Sequence, residues 1–418
     1  MNNKILMISY FFPPSRTSAI ARIVGFTSNL YKLDYQPVIL TVTDPKDRYG
    51  LGKDKHGKLR NNEDVPKGLI INKSFELNIS KPVDFFDMLS RKSLKIFGIT
   101  FKKRYFRELC IPDPQIGWFP VLKGLKLVRE CKCIFVTCSP FSSALAACVV
   151  KKITKKPVIL DFRDAWTLNP YQTDHTWVYR KVSTLMEKWV LKTCDALVLN
   201  TEGSLKLYQD NYQQYKDKMY YIPNGYDKLD LAAKKKQADT FVITHVGSFY
   251  WTRNPKYLLD AIMELDFKDN IKFVQIGGNF EGSEIYEGKI NMEITGALKN
   301  VEALAKMKQA SLLYLKQGRN EIDKNYIAVA AKTYEYLATG LPILCDCPEG
   351  DNTDIVNKYS TCAYLTTSGE KEAIKKILIE AYNNRDFIPQ INEDFAEIFS
   401  RENLTKRLVG IIEKISEQ

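Results

Sequence analysis

The sequence predicts an α/β protein of two doubly wound domains facing across a cleft, and three observations carry that expectation. The chain has 418 residues, enough for two or three domains. Short β-branched and aromatic runs alternate with stretches of helical periodicity, as in parallel strands whose sheet is covered by helices on both faces. The alternation breaks once, at the polar, lysine-rich LAAKKKQAD of residues 231–239, and then starts again.

In chain order, KILMISYFF reads as a first strand. It has a lysine and a short apolar run, but two prolines follow without a small-residue cleavage site, so it is not read as a signal peptide. SAIARIVGFTSNLYKL is helical; QPVILTVT, CKCIFVTCS, PVILDFRDAW and DALVLNT are strands, with the helix TWVYRKVSTLMEKWVLKTC before the last of them. After the break, TFVITHVGS, NIKFVQIGG, MEITGA, SLLYLKQ and LPILCDC are strands, and NPKYLLDAIMEL, NVEALAKMKQA and AAKTYEYLATG are the helices between them. Gly340 closes the last of these helices and Pro342 prevents its continuation. Domains are expected at 1–235 and 236–393, with a helix over 394–418, apolar on one side, packing back across the join. Ligands of open parallel sheets bind beyond the carboxyl ends of the strands, where loops converge on the cleft.

Composition narrows the function classes. With 45% hydrophobic and 26% charged residues the chain is that of a soluble globular protein, and its formal charge of +12 suits nucleic acid, anionic membrane or phosphorylated substrates without choosing among them. Nine scattered cysteines form no zinc knuckle and no redox CxxC, so reduced thiols in a cytoplasmic protein are expected. No apolar run approaches the roughly 18 residues needed to cross a bilayer. Residues 91–107, RKSLKIFGITFKKRYFR, carry seven basic residues and no acid, interleaved with Leu94, Phe97, Phe101 and Tyr105. As a helix this segment would dock on an anionic membrane surface, at the inner face of the plasma membrane; the alternative is a surface segment whose aromatics complete the core. Because the basic and aromatic residues concentrate there and no nucleic-acid reading module is present, nucleic acid is not an expected partner.

The candidate chemistry lies at strand ends. Lys332 and Glu335 stand one helical turn apart on one helix face, a lysine suited to phosphate and a carboxylate suited to vicinal hydroxyls, which fits a nucleoside diphosphate and its ribose. Gly247 and Ser248 end a strand; Arg253 follows in the loop, and Asn254 with Pro255 reads as the N-cap and first position of the next helix, where backbone amides favour an anion. Gly277 allows close backbone approach, and Thr295 stands at a strand end suited to a base pocket. On the acceptor side are Ser15 and Arg16 in PPSRTSA, and Asp161, Arg163 and Asp164 in DFRDAW, which would position acceptor hydroxyls or, for Asp164, assist proton transfer. A local ion-pair cluster holding the loop is the alternative for DFRD. Without a DxD pair placed for a magnesium diphosphate, neither cofactor nor metal is expected, two basic side chains taking the place of the cation.

YFFPPSRTSA, PDPQIGWFP, VTCSPFSS, DFRDAWT, IPNGYD, HVGSFYWTRNP and KTYEYLATGLPIL occur in the order, and near the spacing, seen in bacterial family 4 glycosyltransferases, which the chain resembles over nearly its whole length. That resemblance implies the GT-B fold of two Rossmann-like domains. It implies retaining transfer of a sugar from a nucleotide donor, bound mainly by the second domain, to a glycan or lipid-linked acceptor bound mainly by the first. It also implies that Arg253 and Lys332 hold the diphosphate, that Glu335 holds the ribose, and that the product is a bacterial surface polysaccharide or glycolipid.

Two positions depart from the family pattern. Ile327 stands where many relatives have an acid eight positions before Glu335, and Ala144 stands where a histidine often follows the VTCSPFSS segment. Of the three histidines, His245 lies on a strand and reads as packed rather than catalytic. A GT-B nucleotide-sugar epimerase and a non-catalytic nucleotide- or lipid-binding partner are the alternative functions.

Overall fold

The computed structural model describes residues 3–13, 20–43, 68–77, 107–118, 120–171, 175–227, 240–249, 253–318, 326–366 and 370–417, with residues 65, 79, 82, 83, 85 and 88 besides. Two compact units result, Met1–Pro223 with Leu404–Gln418, and Asn224–Asn403. The lysine-rich break at 231–239 and the basic segment 91–106 lie outside the described residues.

The first unit holds a seven-stranded sheet. Its strands are β1 (Lys4–Ser9), β2 (Gln36–Val42), β3 (Ile70–Ser74), β4 (Cys133–Cys138), β5 (Val158–Phe162), β6 (Ala196–Leu199) and β7 (Met219–Tyr221), in the order β3-β2-β1-β4-β5-β6-β7. The second unit holds β8 (Phe241–Val246), β9 (Ile271–Ile276), β10 (Asn291–Ile294), β11 (Leu312–Lys316), β12 (Ile343–Asp346) and β13 (Ala363–Thr366), in the order β10-β9-β8-β11-β12-β13. Every pairing is parallel. Both units are therefore Rossmann-like: the first strand is central, and strand order reverses between β1 and β4 and between β8 and β11.

Helices on both faces explain why the inner strands read as unbroken apolar runs. Along β1, Leu6 and Ile8 join one core with Val136 and Leu160, while Ile5 and Met7 join the other with Phe135 and Ile159. Three strands escape an apolar-run reading, and each is a sheet edge: β3 with its polar IINKS, the three-residue β7, and β13. An edge strand is short and half-covered, so its side chains need not be apolar.

The expected single helix from 394 onward is two helices, Glu393–Phe399 and Arg401–Ser416. Ser400 between them has extended backbone and bridges to Tyr226, its hydroxyl accepting from the Asn403 N–H at 3.3 Å, so it ends one helix and caps the next. From the second helix, Leu404, Leu408, Ile411, Ile412 and Ile415 recur at helical spacing and pack with Ile5, Phe26 and Ile39 of the first unit. Each such side chain contributes roughly 1.5–3 kcal/mol of burial. Leu408, which is completely buried, is the centre of that stripe. Leu408→Ala should lower the stability of the first unit by about 2–5 kcal/mol, read as a fall in its urea midpoint; an unchanged midpoint would mean that the terminal helix does not hold this core.

Candidate functional site

The residues that come together most closely lie where strand order reverses in the second unit. Beyond the carboxyl ends of β8 and β11 the crossover connections leave in opposite directions, which opens a crevice for ligands in sheets of this order. His245 on β8 spans that reversal. Its Nδ1 lies 2.8 Å from the Tyr314 carbonyl of β11, and its ring, 1% exposed, stacks on Phe249 with centroids 4.0 Å apart. A carbonyl oxygen can only accept, so Nδ1 carries the proton and Nε2 presents a lone pair. Lys332 Nζ stands 3.1 Å from that Nε2 and donates to it.

Burial pushes the His245 pKa well below the ordinary histidine value, and the charges of Lys332 and Arg253 act in the same direction, which keeps the ring neutral. Burial also pushes Lys332 down to about 7, with the Arg253 guanidinium adding to the shift and Glu335 opposing it. Lys332 nevertheless remains half-buried, with part of its surface open, and forms no salt bridge among the described residues. A cation held this way gains from an anionic ligand what the protein itself does not supply.

Backbone geometry leaves room for the amine. Gly247 has φ +114°, a conformation that favours glycine, and a Cβ there would lie 2.9 Å from Lys332 Nζ and displace the amine. A Cβ on Gly277 would lie 2.3 Å from the Gly247 carbonyl oxygen, which already accepts from Gln275 Nε2 at 2.5 Å. Ser248 is exposed beside this loop, and Thr295, at the end of β10, donates its N–H to the Gln275 carbonyl at 3.0 Å.

Arg253 is half-buried just before the helix Lys256–Met263. The helix begins one residue later than expected, but the Asn254 side chain still accepts from the Lys256 N–H at 2.8 Å. Lys332 and Glu335 share the short helix Ala331–Leu337, which Gly340 follows with φ +68°. Burial raises the Glu335 pKa, Arg401 and Lys332 opposing it while Asp227 adds to it. Arg401 pairs with Asp227 and donates to the Asn224 carbonyl at 3.4 Å. Neither Arg401 nor Asp227 was picked out by sequence reasoning; no local spacing connects either residue to Glu335.

The acceptor-side candidates separate. Ser15 and Arg16 lie outside the described residues. Asp161 is completely buried and takes Arg22 Nη2 at 2.6 Å and Nε at 3.0 Å, while Arg22 also donates to the Ile222 and Pro223 carbonyls at 2.8 and 2.6 Å. Asp161 is therefore in an ion pair, but with distant Arg22 and not within a local DFRD cluster: its carboxylate is committed to a protein cation and has no surface for an acceptor hydroxyl. Arg163 donates to the Cys138 and Ser139 carbonyls at 3.2 and 3.1 Å, tying the end of β5 to that of β4, and burial lowers its pKa. Asp164 alone of the three is exposed. Ala144 is buried in the helix Ser142–Thr154, and Ile327 is half-buried ahead of the Lys332 helix.

No protein-family model matches the sequence, and no curated protein matches it. Among solved structures the chain is similar to HepE of Anabaena in complex with UDP, at 13% identity and TM-score 0.63 over 98% of this chain and 100% of that one. It is similar to a sucrose-phosphate synthase from Thermosynechococcus elongatus, at 11% identity and TM-score 0.66 over 99% of both chains. It is also similar to a glycosyltransferase from Rickettsia africae, at 11% identity and TM-score 0.62 over 99% of this chain and 98% of that one. With its two parallel-sheet units, the protein has the GT-B fold.

Two outcomes follow from the buried charges. Arg22→Met should cost about 3–5 kcal/mol of stability, seen as a lower urea midpoint, because it strands the Asp161 carboxylate, whereas Asp164→Asn should leave the midpoint unchanged. A bound diphosphate should hold Lys332 protonated, so binding takes up a proton above about pH 7 and weakens by up to about tenfold per unit as pH rises further. Titration calorimetry in buffers of different ionisation enthalpy reads this uptake; Lys332→Arg, charged throughout, should abolish it.

Proposed function

We propose that the protein is a glycosyltransferase that moves a sugar from a nucleoside diphosphate sugar to a glycan or lipid-linked acceptor, with retention at the anomeric carbon, in the synthesis of a bacterial surface polysaccharide or glycolipid. The observation that carries this reading is the half-buried Lys332 amine, held by His245 over Gly247 at the strand-order reversal, with the charge of Arg253 beside it. HepE, of similar fold, was solved with UDP, which supports a nucleotide donor.

In this reading Lys332 and Arg253 hold the diphosphate and Glu335 takes the ribose hydroxyls. The bond from the anomeric carbon to the phosphate oxygen breaks as the acceptor oxygen bonds to that carbon, and negative charge builds on the departing diphosphate. Lys332 and Arg253 stabilise that charge where it develops, their orientation set before the substrate arrives. The acceptor's proton passes to the departing phosphate, with Asp164 positioning the acceptor hydroxyl. Two basic side chains serve in place of a metal, so chelation by EDTA should leave transfer unchanged.

The test is a thermal-shift panel of nucleoside diphosphate sugars, followed by a transfer assay. One nucleotide should stabilise the wild type, and Arg253→Ala or Lys332→Met should abolish that shift and lower turnover by about 10²–10³. Lys332→Met should not lower the melting temperature without ligand, because burying an amine penalises its charged form. Equal shifts in wild type and both variants would end the assignment of the diphosphate site, and an epimerised sugar formed from donor alone would replace transferase by epimerase.

A further inference from the structure

The helix Trp177–Thr193 turns an unusual face outward. At about 100° per residue, Trp177, Lys181, Leu185, Lys188, Trp189 and Lys192 fall within an arc of about 120°. All six are exposed, Trp177 at 66%, Leu185 at 60% and Trp189 at 36%, and Val178 lies exposed in the same arc. Lys181 Nζ sits 4.8 Å above the Trp177 ring, so the charge and the indole share one patch.

The helix contains one acid, Glu187, and it points the other way. It is completely buried and accepts from Tyr208 and Tyr212 at 2.5 and 3.0 Å and from Thr167. These bonds fix the rotation of the helix and with it the outward arc. The helix Ser142–Thr154 packs alongside and has no acid at all; it adds exposed Val149, Lys152 and Ile153, the last 61% exposed.

We propose that this face is a docking surface for an anionic phospholipid bilayer. Two tryptophans, a leucine and an isoleucine give a large apolar area that nothing among the described residues covers, and the charges on the outward faces of the two helices are all positive, the nearby acids being Glu108, which accepts from the Thr176 N–H, and Asp195, which pairs with Lys151. The lysines decide between a bilayer and a protein. They are interleaved with the apolar side chains rather than set around them, and a dry protein interface would have to bury them, whereas interface cores are depleted in lysine. At a bilayer surface each lysine stem lies along the apolar layer while its ammonium reaches the lipid phosphates, and each indole sits at headgroup level. A second copy of the chain would set like charges against each other. No helix among the described residues is long and apolar enough to cross a membrane, so contact is confined to the interface. This surface is independent of the donor-site reading.

The full chain is tested by flotation with vesicles of phosphatidylcholine, with or without about one third phosphatidylglycerol. It should float with the anionic vesicles and be released by high salt. Lys181→Glu with Lys188→Glu should reduce binding by at least about 25-fold, since each basic residue near an anionic surface is worth about fivefold. Trp177→Ser with Trp189→Ser should also reduce flotation with the anionic vesicles at low salt, although every lysine remains. Circular dichroism and the nucleotide thermal shift should remain those of the wild type in both variants, which separates lost docking from lost folding or lost donor binding. No flotation with anionic vesicles, equal binding by both variants, or a dimer in light scattering that the tryptophan variant dissolves would each overturn the proposal.

Discussion

The second unit's candidate chemistry depends on one hydrogen bond, from His245 Nδ1 to the Tyr314 carbonyl. It crosses the two strands between which the chain reverses its order, where no helix connection runs over the strand ends. By taking the Nδ1 proton it leaves Nε2 as an acceptor, and that acceptor aims the Lys332 amine. A histidine that donated from Nε2 instead would repel the ammonium. The Phe249 ring stacked on His245 shuts water out, which makes the tautomer and the displaced lysine pKa parts of one arrangement.

Three buried or half-buried cations show how differently the same charge can be used. Arg22 meets Asp161 and two carbonyls, and Lys316 meets Asp346 at 2.7 Å, with Tyr314 donating to the same carboxylate oxygen. Both cations meet a carboxylate within the protein, and removing either partner would leave a buried charge uncompensated. Lys332 has a neutral imidazole as its partner and feels Glu335 only through space. The desolvation that Arg22 and Lys316 recover from carboxylates is left uncompensated at Lys332, on a surface still partly open, and that imbalance is what an anion would correct.

Legibility followed locality. The central strands could be read because they are covered on both faces, and Gly340 could be read because the turn that ends its helix takes it to φ +68°, a conformation that favours glycine. The Lys332–Glu335 spacing was legible for the same reason. Contacts between distant segments were not. Asp161 looks like a site residue beside Arg163 and Asp164, yet the residue that claims it is Arg22, far earlier in the chain. His245 was read as packed, and it is, but the polar groups it meets, the Tyr314 carbonyl and the Lys332 amine, lie 69 and 87 residues downstream. A histidine after Thr244 in an otherwise apolar strand, one position before a strand-ending Val-Gly pair, was the local sign.

The excess charge of +12 also has a structure. In the second unit, Glu264 takes Lys371 and Lys375, and Glu293 takes Lys272 and Lys306, so each of these lysines has a carboxylate within one contact, shared between two. Such exposed pairs add little stability, but they offset part of the local field. On the helices Ser142–Thr154 and Trp177–Thr193 no outward acid does the same. Salt screens exposed charges beyond about 8–10 Å, so a surface attracts a polyanion through its own nearby cations and not through the net charge of the chain. The outward face of Trp177–Thr193 therefore keeps its positive field at physiological salt undiminished, while that of the paired lysines of the second unit is partly offset by the carboxylates they share.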